Sequence, residues 1–314
     1  MGLSSHTASS ILHGMANNEV LVVDLGQSGC RIKQGDVLIT SDRGKLAGEN
    51  PLPALRAVFD SIEKLSADVV ALSCTGLNGM VLESATYGEF CAEYFGATQV
   101  AVIDDGFASF VAALKGRNGV ALTVGGGVVA IGGLNERFTH RDGLGSTFGD
   151  EGGGFWLGKA AITKALAANQ GRHDDPELAA YFHDEIDVYY KLFVCDGAEA
   201  QTFAINTAKK VLEAADAGIS TATAIVDEGA YLLAQTVVAT WYGCGGSKSD
   251  SPEIVIQGGP ARNVSYATKI ALEITAKLPN AVIVESPSDN LDGALWIANN
   301  MPQDVPPLML WSRN

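Results

Sequence analysis

Apolar residues along this chain come in two spacings: short uninterrupted runs that stop at aspartate or glycine, and longer stretches that repeat every three to four positions. Residues 20–23 form a run of the first kind, ending at Asp24 and Gly26, and residues 31–40 follow as the second arm of a hairpin. Helical spacing returns over 51–65 through Leu55, Val58, Phe59 and Ile62. Residues 68–73 are again continuous, as in a strand covered on both faces. A further run, 100–103, stops at Asp104 and Asp105 just before a helical stretch at 108–114. Residues 120–124, the turn Gly125-Gly126-Gly127 and residues 128–131 then repeat the opening pattern of strand, glycine turn, strand.

Helices are predicted over 160–168, 177–182, 204–217 and 223–242, followed by a glycine- and serine-rich turn or linker at 242–252. Residues 253–257 read as a strand ending at Gly258-Gly259, 266–277 as a helix and 281–284 as the last strand. Residues 1–17 and the tail from Pro302 are expected to be loosely structured. The simplest topology is two weakly similar α/β halves, each opened by a glycine hairpin.

Length sharpens this picture, because 314 residues exceed what one core usually holds, and two domains imply a cleft between them. The formal net charge of -15 disfavours nucleic acid or an anionic membrane surface as partner and leaves a small polar substrate. No stretch approaches the ~20 apolar residues of a spanning helix and no signal peptide is evident, so a cytoplasmic protein is expected. Cys30, Cys74, Cys91, Cys195 and Cys244 are scattered and read as buried thiols. The histidines His6, His13, His140, His173 and His183 show no metal spacing and read as surface residues.

Candidate chemistry sits where the runs end. The segment 143–158, G-L-G-S-T-F-G-D-E-G-G-G-F-W-L-G, has glycine at seven of sixteen positions, which removes Cβ atoms where a ligand must lie against backbone. Asp150 and Glu151 within it can accept from hydroxyl groups, or complement the dipole of a helix starting near Phe155. The turn after Asp24, Asp104-Asp105, the turn 125–128 and the segment 256–263 each follow a strand. Ligands of open α/β sheets bind beyond the carboxyl ends of strands, so these four can converge on one cleft. Two glycine hairpins can hold nucleotide phosphates through backbone N–H groups, with Gln27 and Ser28 at the first turn and Asp24 holding Mg²⁺ through water. Neither a P-loop nor a Rossmann glycine motif is present. Asp104 reads as a helix cap, and Arg31 as phosphate contact or solvated arginine in equal measure.

With these residues in place, the chain resembles the N-acetylglucosamine kinase and glucosamine kinase branch of the BadF/BadG/BcrA/BcrD ATPase family, within the actin, Hsp70 and sugar-kinase superfamily. The motifs are D-x-G-x-[ST]-x-x-R at 24–31, the aspartate segment 102–108, G-L-G-S-T-F-G-D-E-G against the family's G-W-G-x-x-x-G-D-E-G, the glycines at 258–259, and G-A-L-W-I-A at 293–298. The resemblance implies two ribonuclease-H-like (actin-like ATPase) domains of the α/β class flanking a central cleft. These would be an N-terminal domain over 18–105, completed by a C-terminal helix at about 290–314, and a C-terminal domain over 106–289. It implies ATP and Mg²⁺ as cofactors and phosphorylation of an amino sugar's 6-hydroxyl, with Asp105 as general base. Asn50, Gly143, Leu144, Gly145 and Asp150 would bind sugar with Asp105. Gly26, Gln27, Ser28, Gly125, Gly126, Gly127, Gly258 and Gly259 would bind nucleotide. Two departures stand out: G-G-G-V replaces G-T-G-S at 125–128, removing hydroxyls at Gly126 and Val128, and Leu144 replaces tryptophan. The alternatives are a non-catalytic sugar or nucleotide sensor and a BadF-type activator ATPase. Glucosamine and N-acetylglucosamine are not separated, and a homodimer is left open.

Overall fold

The computed structural model describes residues 20–27, 29–45, 49–77, 83–135, 137–192, 197–286, 289–300 and 308–313. Ser28, Cys195 and the N-terminal residues 1–17 lie outside them. The first half builds a sheet from β1 (Val20–Leu25), β2 (Cys30–Gln34), β3 (Val37–Ser41), β4 (Val69–Cys74) and β5 (Gln99–Asp104). The second builds one from β6 (Gly119–Val124), β7 (Val128–Leu134), β8 (Arg137–Asp142), β9 (Glu253–Gln257) and β10 (Val282–Ile283). Each sheet places its first hairpin strand at the centre: the spatial orders are β3-β2-β1-β4-β5 and β8-β7-β6-β9-β10. In both, an antiparallel hairpin continues into parallel neighbours, β1 with β4 and β6 with β9. This is the duplicated ribonuclease-H-like topology that the repeated strand, glycine turn, strand pattern foreshadows.

The central strands β1 and β4 are buried at every position, which is why they read as continuous apolar runs rather than alternating ones. Between the two sheets lie α3 (Asp105–Leu114) and α10 (Asn290–Asn300). Phe107, Phe110, Val111, Leu291, Ala294 and Ile297 join side chains of both sheets in one apolar core, from Val22 and Ile103 to Ala121, Ile131 and Val255. Gly293 is demanded by this contact, since a Cβ there would overlap the Ala108 carbonyl oxygen. The other helices are α1 (Pro51–Phe59), α2 (Ser84–Phe95), α4 (Gly154–Asn169), α5 (Pro176–Tyr181), α6 (His183–Leu192), α7 (Gly197–Asp216), α8 (Ser220–Gly243) and α9 (Val264–Lys277). Buried residues of α4 to α9 cover one face of the second sheet, with Trp241 and Tyr266 the largest fully buried side chains among the described residues.

Several expectations change. Residues 31–40 are not one strand but β2 and β3, joined at Gly35, whose φ of +56° suits a tight turn. The closing helix ends at Asn300 rather than near 314. Leu308–Ser312 forms a strand, β11, antiparallel to β5, where a loose tail or helix was expected. Trp311 on that strand lies where a Cβ of Gly88 would be, so the glycine inside α2 marks a packing site and not a helix break.

Candidate active site

The first hairpin is locked by hydrogen bonds and charge. Gly26 N donates to Gly29 O at 2.9 Å, closing the turn after β1, and Lys45 N donates to Gly26 O at 3.0 Å, tying the segment after β3 beneath it. Asp24 is buried at the end of β1 and its carboxylate has three protein donors: Arg31 Nη2 to Oδ2 at 2.6 Å, and Ser73 Oγ and Asn290 Nδ2 to Oδ1, each at 3.2 Å. Arg31 also holds Asp289 through both guanidinium nitrogens, at 2.7 and 2.9 Å. Arg31 is therefore a clamp between β2 and the start of α10, a role that its spacing from Asp289, 258 positions away, hides from sequence. Three donors on a carboxylate leave about one lone-pair position. That fits a water-mediated cation better than a direct ligand. Among the described residues no group of three or more His, Cys, Asp or Glu could hold a metal ion. Any Mg²⁺ would have to arrive with phosphates and touch Asp24 through its hydration shell.

Asp104 and Asp105 divide the two roles available at a strand-to-helix junction. Asp104 caps α3, its Oδ1 accepting from Gly106 N at 3.0 Å, as expected from its position. Asp105, one residue on, accepts from Gly106 N at 2.9 Å and from the Thr75 hydroxyl at the end of β4. Burial, with Asp104 and then Asp24 as like-charged neighbours, pushes its carboxyl up to about 6, against the lowering effect of those two hydrogen bonds. A carboxylate with such a value is ionised at neutral pH yet basic enough to take a proton.

The second hairpin carries no charge of its own and is held from outside. Asp150 Oδ1 accepts from Val128 N at 2.9 Å, Asp150 N donates to Asp142 Oδ1 at 2.8 Å, and Gly143 N donates to Val128 O at 2.8 Å. The acidic loop is thus clasped to the glycine turn, and α4 is clasped to it as well, since Gly154 N and Phe155 N donate to Gly125 O and Gly126 O. Asp150 has a φ of +61°, a left-handed conformation that aspartate tolerates better than most residues. Burial raises its carboxyl, partly offset by the Val128 N–H. A Cβ at Gly126 would lie 2.8 Å from Ile205 Cδ1, so an apolar residue of α7 occupies the space beside this turn.

Gly125, Gly126 and Gly154 line a cavity of about 670 Å³ together with Ile205 and Lys209 of α7 and Gly259, Pro260 and Arg262 beyond β9. The structure therefore joins the second hairpin to the segment after β9 around one cavity. Gly258 has a φ of +106° and its Cβ would overlap Val124 O, so glycine is obligatory where β9 turns away from β6. In the acidic loop, Gly143 and Gly145 have φ of +68° and +81°, and Leu144 is 68 % exposed. Asn50 caps α1 through Oδ1, accepting from Leu52 N at 2.9 Å, a duty that leaves its side-chain NH₂ for a ligand. His140, expected on the surface, is instead half-buried against the loop: its ring carbon lies 3.2 Å from where a Gly143 Cβ would be, and burial lowers its pKa although Asp105 acts to raise it.

The chain matches the BadF/BadG/BcrA/BcrD ATPase family over residues 20–298. It belongs to that family. No curated protein matches it. Among solved structures it is similar to a candidate N-acetylglucosamine kinase from Chromobacterium violaceum, with 20% identity and a TM-score of 0.62 over 89% of this chain and 98% of that one. A candidate N-acetylglucosamine kinase from Porphyromonas gingivalis gives 14% and 0.61 over 90% and 100%. A ROK family glucokinase from Streptomyces griseus, solved with glucose and AMPPNP, gives 13% and 0.54 over 89% and 98%. At these identities the likeness is one of fold, and it places this BadF-type ATPase among proteins built on two such sheets. No helix among the described residues is long and apolar enough to cross a membrane.

Proposed function

We propose that this family member is an ATP-dependent kinase that phosphorylates the 6-hydroxyl of glucosamine or N-acetylglucosamine. The observation that carries the reading is Asp105: a largely buried carboxylate at a strand's end, raised to about 6, facing the same ends of β1 and β4 as the first hairpin. Its partners give it the position and basicity of a general base. The fold shared with sugar kinases and the loop G-L-G-S-T-F-G-D-E-G support a sugar as acceptor.

In this mechanism the sugar hydroxyl gives its proton to Asp105 as its oxygen bonds to the terminal phosphorus, the bond to the bridging oxygen breaks, and ADP leaves. Gly26 and Gln27 on one side and Gly125 to Gly127 on the other hold phosphates through backbone N–H groups, and Gly258 and Gly259 border the adenosine. Asp150, Gly143, Leu144, Gly145 and Asn50 bind the sugar. Asp24 would hold Mg²⁺ through water, and the ion would supply charge neutralisation at the phosphates. An ATP-using enzyme with Cys30, Cys74, Cys91 and Cys244 free and buried belongs in a reducing compartment, which points to the cytoplasm.

One observation favours a second reading. With Ile205 in place of a hairpin hydroxyl at Gly126, a sugar or nucleotide sensor without turnover is the competing function. A coupled ADP-release assay with Mg-ATP and glucosamine, N-acetylglucosamine, glucose or no sugar separates them. Sugar-dependent turnover abolished in Asp105→Asn supports the kinase; sugar binding by calorimetry without turnover supports the sensor.

A further inference from the structure

Lys45 is the one buried lysine or arginine among the described residues, with 3 % of its surface exposed, in a chain whose other bases face solvent at least in part. Taking an ammonium out of water is costly, and proteins keep one buried where it pairs with charge or does chemistry. Two glycines shape the place it occupies. Gly44 packs so closely on the first hairpin that a Cβ would overlap Gln27 O, and with the Lys45 N to Gly26 O bond this sets the lysine's backbone against the turn. At the other end of the side chain the ammonium lies against Gly76, where a Cβ would collide with Nζ and where φ is +78°. Gly76 follows Thr75, whose N donates to Leu25 O and whose hydroxyl bonds Asp105. The side chain therefore runs from the phosphate hairpin after β1 to the turn after β4 that supports the base.

We infer that Lys45 is a catalytic residue whose ammonium contacts the terminal phosphoryl group as it passes from the nucleotide to the acceptor oxygen. The inference rests on the kinase reading above. Charge on a phosphoryl group in transfer is spread over its equatorial oxygens, and a preorganised cation in a water-poor site stabilises it without reorganisation. The C-terminal hairpin, G-G-G-V, contributes neither a cation nor a side-chain hydroxyl to this task. The bond made is from acceptor oxygen to phosphorus, the bond broken is from phosphorus to the bridging oxygen of ADP, and the proton goes to Asp105.

The test compares wild type, Lys45→Met and Lys45→Arg for sugar-dependent turnover and, by calorimetry, for binding of a non-hydrolysable ATP analogue against ADP. Lys45→Met is expected to lower kcat by roughly 10²- to 10³-fold, the usual loss on removing one such donor. Sugar KM should stay within about threefold, analogue affinity should fall and ADP affinity should hold, with Lys45→Arg recovering part of kcat. If wild type turns over sugar and Lys45→Met keeps kcat, the Lys45 assignment falls and the kinase reading stands. If wild type shows no sugar-dependent turnover, the kinase reading falls, and equal loss of analogue and ADP affinity, or of neither, overturns Lys45 independently. Should Lys45→Met not fold, Gly76→Ala, which displaces the ammonium but keeps its charge, is expected to reproduce the kcat loss; unchanged kcat there overturns the assignment.

Discussion

The two glycine hairpins occupy equivalent places in equivalent sheets, yet they are stabilised by opposite means. The first is surrounded by charge: Asp24, Arg31 and Asp289 form a chain of ion pairs beside it and Lys45 lies beneath it. The second is uncharged glycine packed on Ile205 and held by one carboxylate reaching in from the acidic loop, Asp150 accepting from Val128 N. Duplication of a topology has thus not duplicated its chemistry. The half that carries Asp105 concentrates cation and acid groups, while the other offers shape and backbone donors. If the protein is the kinase proposed above, this division suits the reaction, because hairpins that gripped phosphate equally on both sides would stabilise ground state and transition state alike.

The sharpest way to break the comparison is to remove the base. Asp105→Asn is expected to cut turnover by about 10²- to 10⁴-fold. In wild type, kcat/KM should fall as pH drops through about 6, where Asp105 becomes protonated in the free enzyme, and that limb should vanish in the variant. The same change should stabilise the fold at neutral pH. Since the folded value lies above the unfolded 3.8, the ionised group costs stability that is absent below 3.8 and complete above about 6. Melting temperature at pH 7.5 should rise in Asp105→Asn, by roughly 2–4 °C per kcal/mol relieved. A fall in both turnover and melting temperature would make Asp105 a structural residue.

Next in size is the clasp of the uncharged hairpin. Asp150→Ala leaves Val128 N–H without its buried acceptor, worth about 1–3 kcal/mol, and puts alanine at positive φ for about 1–2 kcal/mol more. Melting temperature should fall and the KM for ATP should rise together, because the acid loop and the nucleotide hairpin are one unit. Asp150→Gly should recover the strain part of the stability and none of the ATP affinity. An unchanged KM for ATP in both variants would show that Asp150 serves the acceptor alone.

How much of this was readable before folding follows the range of the interactions. Strand-end placement brings Asp24 near Asp105 in one sheet and Gly125 and Gly126 near Gly259 in the other, because continuous apolar runs are local signals and loops beyond their carboxyl ends are brought together by a parallel sheet. Arg31 could not be assigned, since its second partner, Asp289, is set by how α10 returns across β1. Lys45 gave no signal at all: a single lysine after a strand is ordinary until Gly44 and Gly76 are seen to mould around it. α2, α6, β8 and β11 were not predicted. β8 carries one apolar residue in six, Phe138, at a sheet edge, and α2 contains Gly88, which only the packing of Trp311 explains.

A finer probe returns to the uncharged hairpin and asks whether Ile205 stands in for the missing hydroxyl. Gly126→Thr alone forces Ile205 aside, an overpacking cost of about 1–3 kcal/mol, and should weaken nucleotide binding. Gly126→Thr with Ile205→Ala removes the collision and should bind nucleotide at least as well as wild type. The coupling energy between the two positions, read from nucleotide titrations, should be about 0.5–3 kcal/mol. Additive effects would mean that α7 and the hairpin are independent.

The smallest effect belongs to the charged hairpin's clamp. Arg31 and Asp289 are each more than a third exposed, so screening reduces their pair to about 1 kcal/mol or less, although the Asp24 end is more buried. Asp289 is held below the usual carboxylate range because Arg31 and the Leu291 N–H outweigh the opposing effect of burial. Its contribution is therefore complete above 3.8 and is lost as pH falls below it. Arg31→Gln should lower melting temperature slightly at pH 7, less in high salt, with the gap narrowing below pH 3.8. If the variant instead melts like wild type but loses ATP affinity more than tenfold, Arg31 acts on phosphate directly, and the clamp on Asp24 is the resting arrangement of a residue that changes partners when nucleotide binds.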